Sequence, residues 1–257
     1  LARRKFEDFK IDRSIYVVAD EQNHHFKQVF KVLELMGFEN AKRSSHLSYG
    51  MVMLPEGKMS SRDGTSVTFA SLRAQMLQRL GEILEKYRGE WSDAEIAETA
   101  HRLCDGAIKY GMVATDPVNK IVFNLDDWLS FEGDSGPYLM YSFSRTRSIL
   151  KKAAEAGARP DAKAAAELTA PSERELLRYL YEFNNTVALA AESCRPSALA
   201  HHLFHTCKAF NRFYADVPVL KADSPALRDA RLALVEGFSR TLHQGLGLLG
   251  IKPPERM

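Results

Sequence analysis

Apolar and polar positions follow two different rhythms along this chain. Residues 15–19, Ile-Tyr-Val-Val-Ala, are a short charge-free run of β-branched and aromatic side chains, the pattern of a strand buried on both faces. Residues 23–36 place Phe26, Val29, Phe30, Leu33 and Met36 on one helical stripe, with Gly37 where a C-terminal cap is expected. Residues 47–54 read as a second strand, so the segment predicts one βαβ unit with parallel strands and a right-handed crossover. From residue 71 the period is helical almost throughout. Leu72, Met76, Leu80, Ile83 and Leu84 make one stripe, and Ser92 with Glu95 is a capping box ahead of Ile96, Ala100, Leu103 and Ala107. Residues 121–123 are a brief extended insert. Pro137 opens a helix to Leu150, and Ser172 with Glu175 reads as a second capping box. Pro196 starts a helix through Phe204, Phe210, Phe213 and Tyr214, and Ser224 with Pro225 starts the last one, through Leu232, Val235, Phe238 and Leu242 to Gly245. The charged, Ala-rich stretch 153–170, with Pro160, reads as a helix end, a connector and a short helix.

The fold class expected is therefore α+β and mostly helical: a partial α/β, Rossmann-like half followed by an all-α bundle. The main boundary falls between residues 70 and 115, and is set at 90, giving domains 1–90 and 91–257. A doubly wound sheet binds nucleotides at the switch point between two βαβ halves, and this chain supplies one half. No Walker loop occurs.

Composition narrows the classes. A formal net charge of +2 permits a nucleic-acid partner without demanding one. No apolar run approaches the roughly 20 residues of a membrane span, so no membrane partner is expected. The three cysteines, Cys104, Cys194 and Cys207, are far apart and form no C-x-x-C pair, which argues against a disulfide framework and for a reducing cytoplasm. His201 and His205 share a helical face, but no third ligand is evident, so no metal site is expected. The start at Leu1 rather than Met suggests a piece of a longer chain.

Chemistry concentrates in Gly57-Lys58-Met59-Ser60-Ser61-Arg62-Asp63-Gly64, directly after the second strand. Lys58 and Arg62 can neutralise phosphate oxygens, Ser60 and Ser61 can donate hydroxyl bonds, and the glycines let the backbone approach. Composition alone favours a solvated turn. Gln22 is either a substrate-binding amide or a helix-start residue. Gly50, Met51 and Val52 are either a base-reading strand end or plain core strand. Tyr138 and Tyr141, one turn apart, are either a stacking surface for unpaired bases or core aromatics, and the same holds for Asn211 and Tyr214.

Order along the chain adds a resemblance. Gly57-Lys58-Met59-Ser60-Ser61 after a strand resembles the KMSKS signature of class I aminoacyl-tRNA synthetases. Residues 16–22 with His25, Gly50-Met51-Val52, and Gly64 with Val67 resemble the flanking segments in arginyl-tRNA synthetases. Ile108-Lys109-Tyr110, Glu132-Gly133, Gly136-Pro137-Tyr138-Leu139-Met140-Tyr141 with Arg145, and the ending Leu248 to Met257 are similar to that family's DALR anticodon-binding domain. No histidine here fits the family's HIGH-type motif, so the chain resembles the C-terminal portion of such an enzyme, and Ser61 stands where the signature has its second lysine. The resemblance implies an arginine–tRNA ligase using ATP with Mg2+ as substrate, without a tightly bound cofactor. Its partners would be arginine tRNA, ATP and arginine, and the chain itself a monomer. Lys58, Ser60 and Arg62 would be catalytic, and Gly50, Met51, Val52, Lys58 and Met59 would bind ATP. Gln22 would bind arginine, and Tyr138, Tyr141, Asn211, Tyr214 and Met257 would bind tRNA. Alone, the chain is expected to be inactive. The alternative is a free-standing, non-catalytic tRNA-binding or regulatory module.

Overall fold

The computed structural model describes residues 1–54 and 68–257. They form two compact units, one of residues 1–54 with 115–123 and the other of residues 68–114 with 124–257.

The first unit begins with a helix the hydrophobic pattern did not announce, α1 (Ala2–Phe9). β1 (Ser14–Ala19), α2 (Asn23–Leu35) and β2 (Ser44–Tyr49) follow, the strands pairing in parallel from Ser14↔Ser44 to Ala19↔Tyr49. This is the expected βαβ unit, and Gly37, at φ +73°, ends its helix. Phe26 and Phe30 of α2 lie with ring centroids 5.2 and 5.6 Å from Tyr16, and Phe26 stacks on His46 at 4.5 Å. Phe6, Phe38 and Ala41 make a small core with Ile11 and Leu33. β1 is not buried on both faces: Val17 is 61% exposed, and Ile15 beside it is exposed too. Side chains alternate faces along a strand, and α2 covers only the face of Tyr16.

The second predicted strand is two. β2 ends at Tyr49, and β3 (Val52–Met53) pairs in parallel with β4 (Ile121–Val122). Gly50 makes the break possible. Its N–H donates to the Pro117 carbonyl at 2.7 Å, and a Cβ there would lie 2.2 Å from the Asn119 carbonyl oxygen.

The second unit is helical: α3 (Phe69–Leu84), α4 (Asp93–Ala114), α5 (Leu125–Leu129), α6 (Gly136–Glu155), α7 (Pro171–Ser193), α8 (Pro196–Asp216) and α9 (Pro225–Leu248). Polar residues fix several starts. Ser92 and Glu95 form the expected capping box, and Ser224 Oγ accepts from Leu227 N–H at 3.1 Å. The second capping box is displaced: α7 starts at Pro171, Ser172 is already inside it, and Glu173, not Glu175, reaches back to Ala170 N–H at 2.8 Å. The stripe Met76, Leu80 and Leu84 of α3 is fully buried in the bundle core. The chain thus passes between units more than once, and the compact units do not follow a single cut at residue 90.

Two features lock the bundle. α4 and α6 meet where both lack a side chain: a Cβ on Gly136 would lie 2.6 Å from Gly106 O, and one on Gly106 would lie 2.4 Å from Met140 Cε. Arg231 of α9 pairs with Glu173 of α7 at 2.7 Å, both buried, and also donates to Pro218 O at 2.9 Å. Removing one member of such a pair strands the other's charge. Arg231→Met should therefore lose about 3–5 kcal/mol in urea unfolding, while pairing it with Glu173→Leu should recover most of that loss.

Candidate functional site

The bundle holds a cavity of about 490 Å³ between the end of α3, the segment before α6, and the facing sides of α6 and α8. Ser135 caps α6, its Oγ accepting from Tyr138 N–H at 3.2 Å, which puts Tyr138 in the first turn and Tyr141 and Arg145 on the next two. Asn211 faces them from α8. Its Nδ2 donates to Tyr138 Oη at 2.7 Å, and its Oδ1 accepts from Arg145 at 3.1 Å. Arg145 also donates to Tyr141 Oη at 3.4 Å, with its guanidinium 5.2 Å from the Tyr141 ring centroid and 5.7 Å from that of Tyr214. Tyr138, Tyr141, Asn211 and Met257 all line the cavity, and Arg145 ties in Tyr214, which is 40% exposed. The five candidate RNA-contacting residues are thus brought together.

The tail 251–257 is fastened on its way to the cavity. Ile251 is buried, Arg102 donates to Pro253 O at 3.2 Å, Ser144 Oγ donates to Pro254 O at 2.8 Å, and Arg147 pairs with Glu255 at 2.7 Å. Arg256 stands 4.7 Å over the Trp91 ring, Trp91 stacks on Tyr87 at 4.4 Å, and Lys86 sits 5.0 Å over Tyr87 on the cavity wall. Burial raises the Tyr138 phenol above its ordinary value, and the bond from Asn211 opposes that shift.

In the first unit, Gln22 is exposed at the N-cap of α2, but its side chain makes no capping bond. Gly50 N–H is committed to Pro117, and the Met51 and Met53 carbonyls accept from Ile121 and Phe123 N–H at 3.0 and 2.8 Å. Bonds to one neighbour alternate along a parallel strand, so the backbone groups of Val52 face away from β4. The Gly50 N–H is therefore already taken, whereas the Val52 backbone groups are not engaged by β4. Lys58, Met59, Ser60 and Arg62 lie outside the described residues. Among the described residues no three metal-ligating side chains come together, and no helix is long and apolar enough to cross a membrane.

Residues 1–125 match the family model for class I tRNA synthetases (R), catalytic domain, and residues 139–257 match the DALR anticodon binding domain. The arginine–tRNA ligase of Bdellovibrio bacteriovorus is 44% identical over all of this chain, which covers 44% of that protein. That of Parabacteroides distasonis is 35% identical, with 43% of it covered. The chain belongs to the arginyl-tRNA synthetase family. The solved arginyl-tRNA synthetase of Thermus thermophilus superposes with a TM-score of 0.85 at 36% identity, over 96% of this chain and 42% of that one. The chain thus spans less than half the length of the synthetases it matches. The arginyl-tRNA synthetase structure from Plasmodium falciparum, at 21% identity and a TM-score of 0.82, shares the fold.

The sequence of this synthetase chain did not single out Lys86, Tyr87 or Phe131, which also line the cavity, and marked Glu132 only as part of the motif order. The signal for Tyr87 was its place at the end of the α3 stripe, followed four residues on by Trp91. The protonated Tyr138, with its raised folded pKa, supports the fold fully below the unfolded value near 10, and that support is lost as pH rises through the folded value. Tyr110 shifts the same way, through burial and then its bond to Asp134. Phenolate absorbance should show both tyrosines ionising late, with stability falling above about pH 10. Asn211→Leu should move Tyr138 later still, since it removes the opposing bond.

Proposed function

We propose that this chain is the C-terminal part of an arginine–tRNA ligase, supplying the KMSKS-like loop and the anticodon-binding bundle. The observation that carries the reading is the cavity in which Tyr138 converges with Tyr141, Arg145, Asn211 and Met257, the last four within the stretch matching the DALR anticodon binding domain. Aromatic faces, a guanidinium and neutral hydrogen-bonding groups around a half-open space are what an unpaired, splayed-out base requires.

In this reading the functional domains run from 1 to 90 and from 91 to 257, and the intact ligase works in the cytoplasm as a monomer. It joins arginine and ATP to give arginyl-adenylate and pyrophosphate, then passes the arginyl group to the terminal adenosine of arginine tRNA. Lys58, with Arg62 and Ser60, stabilises negative charge on the departing pyrophosphate of MgATP. Gly50, Met51, Val52, Lys58 and Met59 bind ATP, with Met51 packing on adenine and the Val52 backbone reading its edge, and Gln22 holds the arginine substrate.

Filter binding tests the bundle. Arginine tRNA should bind more tightly than the same tRNA with a changed anticodon, and more weakly as salt rises. Tyr141→Ala should lose about 10–100-fold in affinity, the worth of one stacked base, with little change in thermal stability. Equal affinity for unrelated tRNAs would remove the anticodon assignment. The chain alone should give no arginine-dependent ATP–pyrophosphate exchange, and measurable exchange would overturn its assignment as a partial catalytic centre.

A further inference from the structure

The first unit carries a second cavity, of about 280 Å³, between α2, the 3-10 turn Glu39–Arg43 and the first residue of β2. Lys27, Lys31 and Glu34 line it from α2, Lys42 from the turn and Ser44 from the strand, with Phe30 as an apolar wall. Ser44 is 9% exposed, and its Oγ is the single buried side-chain polar atom among the described residues that lacks a hydrogen-bond partner. An unpaired buried hydroxyl is destabilising, so native chains keep one where something else completes it.

The charges around it are unbalanced. Lys31 pairs with Glu34 at 2.9 Å. Glu34 is held below the usual carboxylate range chiefly by Lys31, with Lys42 adding a smaller pull. Neither Lys27 nor Lys42 has an ion pair of its own among the described residues. Adjacent Arg43 is committed elsewhere, to Asp12 and Asn40. Three ammonium groups therefore surround one carboxylate beside a hydroxyl with an undirected proton.

We propose that this cavity binds a phosphate group, with Ser44 Oγ donating to one phosphate oxygen and Lys27, Lys31 and Lys42 supplying the countercharge. A phosphate carries more than one negative charge and enough acceptor oxygens to take the hydroxyl and several ammonium groups at once. A single carboxylate would duplicate Glu34 and leave the excess charge in place. The phosphate comes either from an RNA backbone or from a small phosphorylated molecule. The site lies wholly in the first unit and does not depend on what the bundle binds.

The test is titration of the full 257-residue chain with inorganic phosphate, followed by the amide resonances of Ser44 and Lys42. Saturable shifts are expected. Ser44→Ala and Lys42→Glu should each weaken binding about tenfold or more, in line with loss of a charge-assisted bond. Glu34→Gln should tighten it severalfold, a gain that a merely structural role would not produce. Ser44→Ala also deletes the unpaired hydroxyl, so its melting temperature without phosphate should hold or rise, which separates lost binding from unfolding. In a second arm, a Lys27→Glu/Lys42→Glu double variant is tested for tRNA binding against salt. Weaker binding with a shallower salt slope assigns the phosphate to RNA. Unchanged tRNA binding alongside saturable phosphate binding assigns it to a small molecule. Unsaturable shifts, or equal phosphate affinity in wild type, Ser44→Ala and Lys42→Glu, would mean an adventitious ion only and overturn the proposal.

Discussion

The bundle is organised by a main-chain contact. Where α6 crosses α4, Gly136 brings the α6 backbone so close to the Gly106 carbonyl that no side chain fits at Gly136, while Gly106 leaves room for the end of the Met140 side chain. That approach fixes the depth of the first turn of α6, and with it the place of Tyr138. It also lets the residue just before the helix reach across: Tyr110 of α4 donates to the Asp134 carboxylate, and its hydroxyl lies 3.2 Å from Ala200 O at the start of α8. Three helices are thereby tied at one buried phenol. On the other side of Gly106, Met140 Sδ and the Ile251 methyl fill the space a Cβ would have taken. A bulkier residue at Gly136 would shift α6 and with it the cavity, whereas one at Gly106 would first displace the end of Met140.

How much of this the sequence made legible depends on the range of the interaction. Signals contained in a few residues read well: the capping box at Ser92 and Glu95, the cap at Ser224, the glycine after α2, and the apolar stripes of α3 and α9. Signals that need a partner far along the chain did not. Glu173 and Arg231 are 58 residues apart, and nothing local marks either as buried, while α7 was placed two residues late because its N-cap, Ala170, has no capping side chain. Gly50 looked like part of a strand because its reason for being glycine, the main chain at Asn119, is also remote. The cavity was half legible. The motif order named Glu132 and residues on α6 and α8, whereas Lys86, Tyr87 and Phe131 join it only through the packing of α3 and the segment before α6.

The two units differ in how they are held. The bundle has a continuous core in which Phe210, Phe213 and Phe238 are fully buried, with Phe210 stacked on Phe238 at 4.1 Å. The first unit has three buried apolar side chains in its cluster and leans instead on cations over rings: Lys5 over Tyr16 at 4.1 Å and Arg43 over Phe6 at 5.4 Å. Such contacts at partly exposed sites contribute about 0.5–1 kcal/mol each, less than burying one large side chain. Val17 remains outside any cluster. Local stability should accordingly be lower in the first unit, where opening exposes little new apolar surface.

The polar network in the bundle cavity has a direction, and Arg145 sets it. A guanidinium only donates, so the Asn211 atom facing it must be Oδ1, which turns Nδ2 toward Tyr138. Tyr138 Oη therefore accepts, and its own proton points elsewhere. Tyr141 Oη accepts from Arg145 as well, leaving a second free proton. Among the described residues no acceptor takes either one. The cavity thus presents two phenolic donors beside a cation, held in place by bonds to the opposite side of each oxygen. Such a surface suits a planar ligand rich in acceptors. That fit follows from the one residue in the chain of bonds that cannot reverse its role.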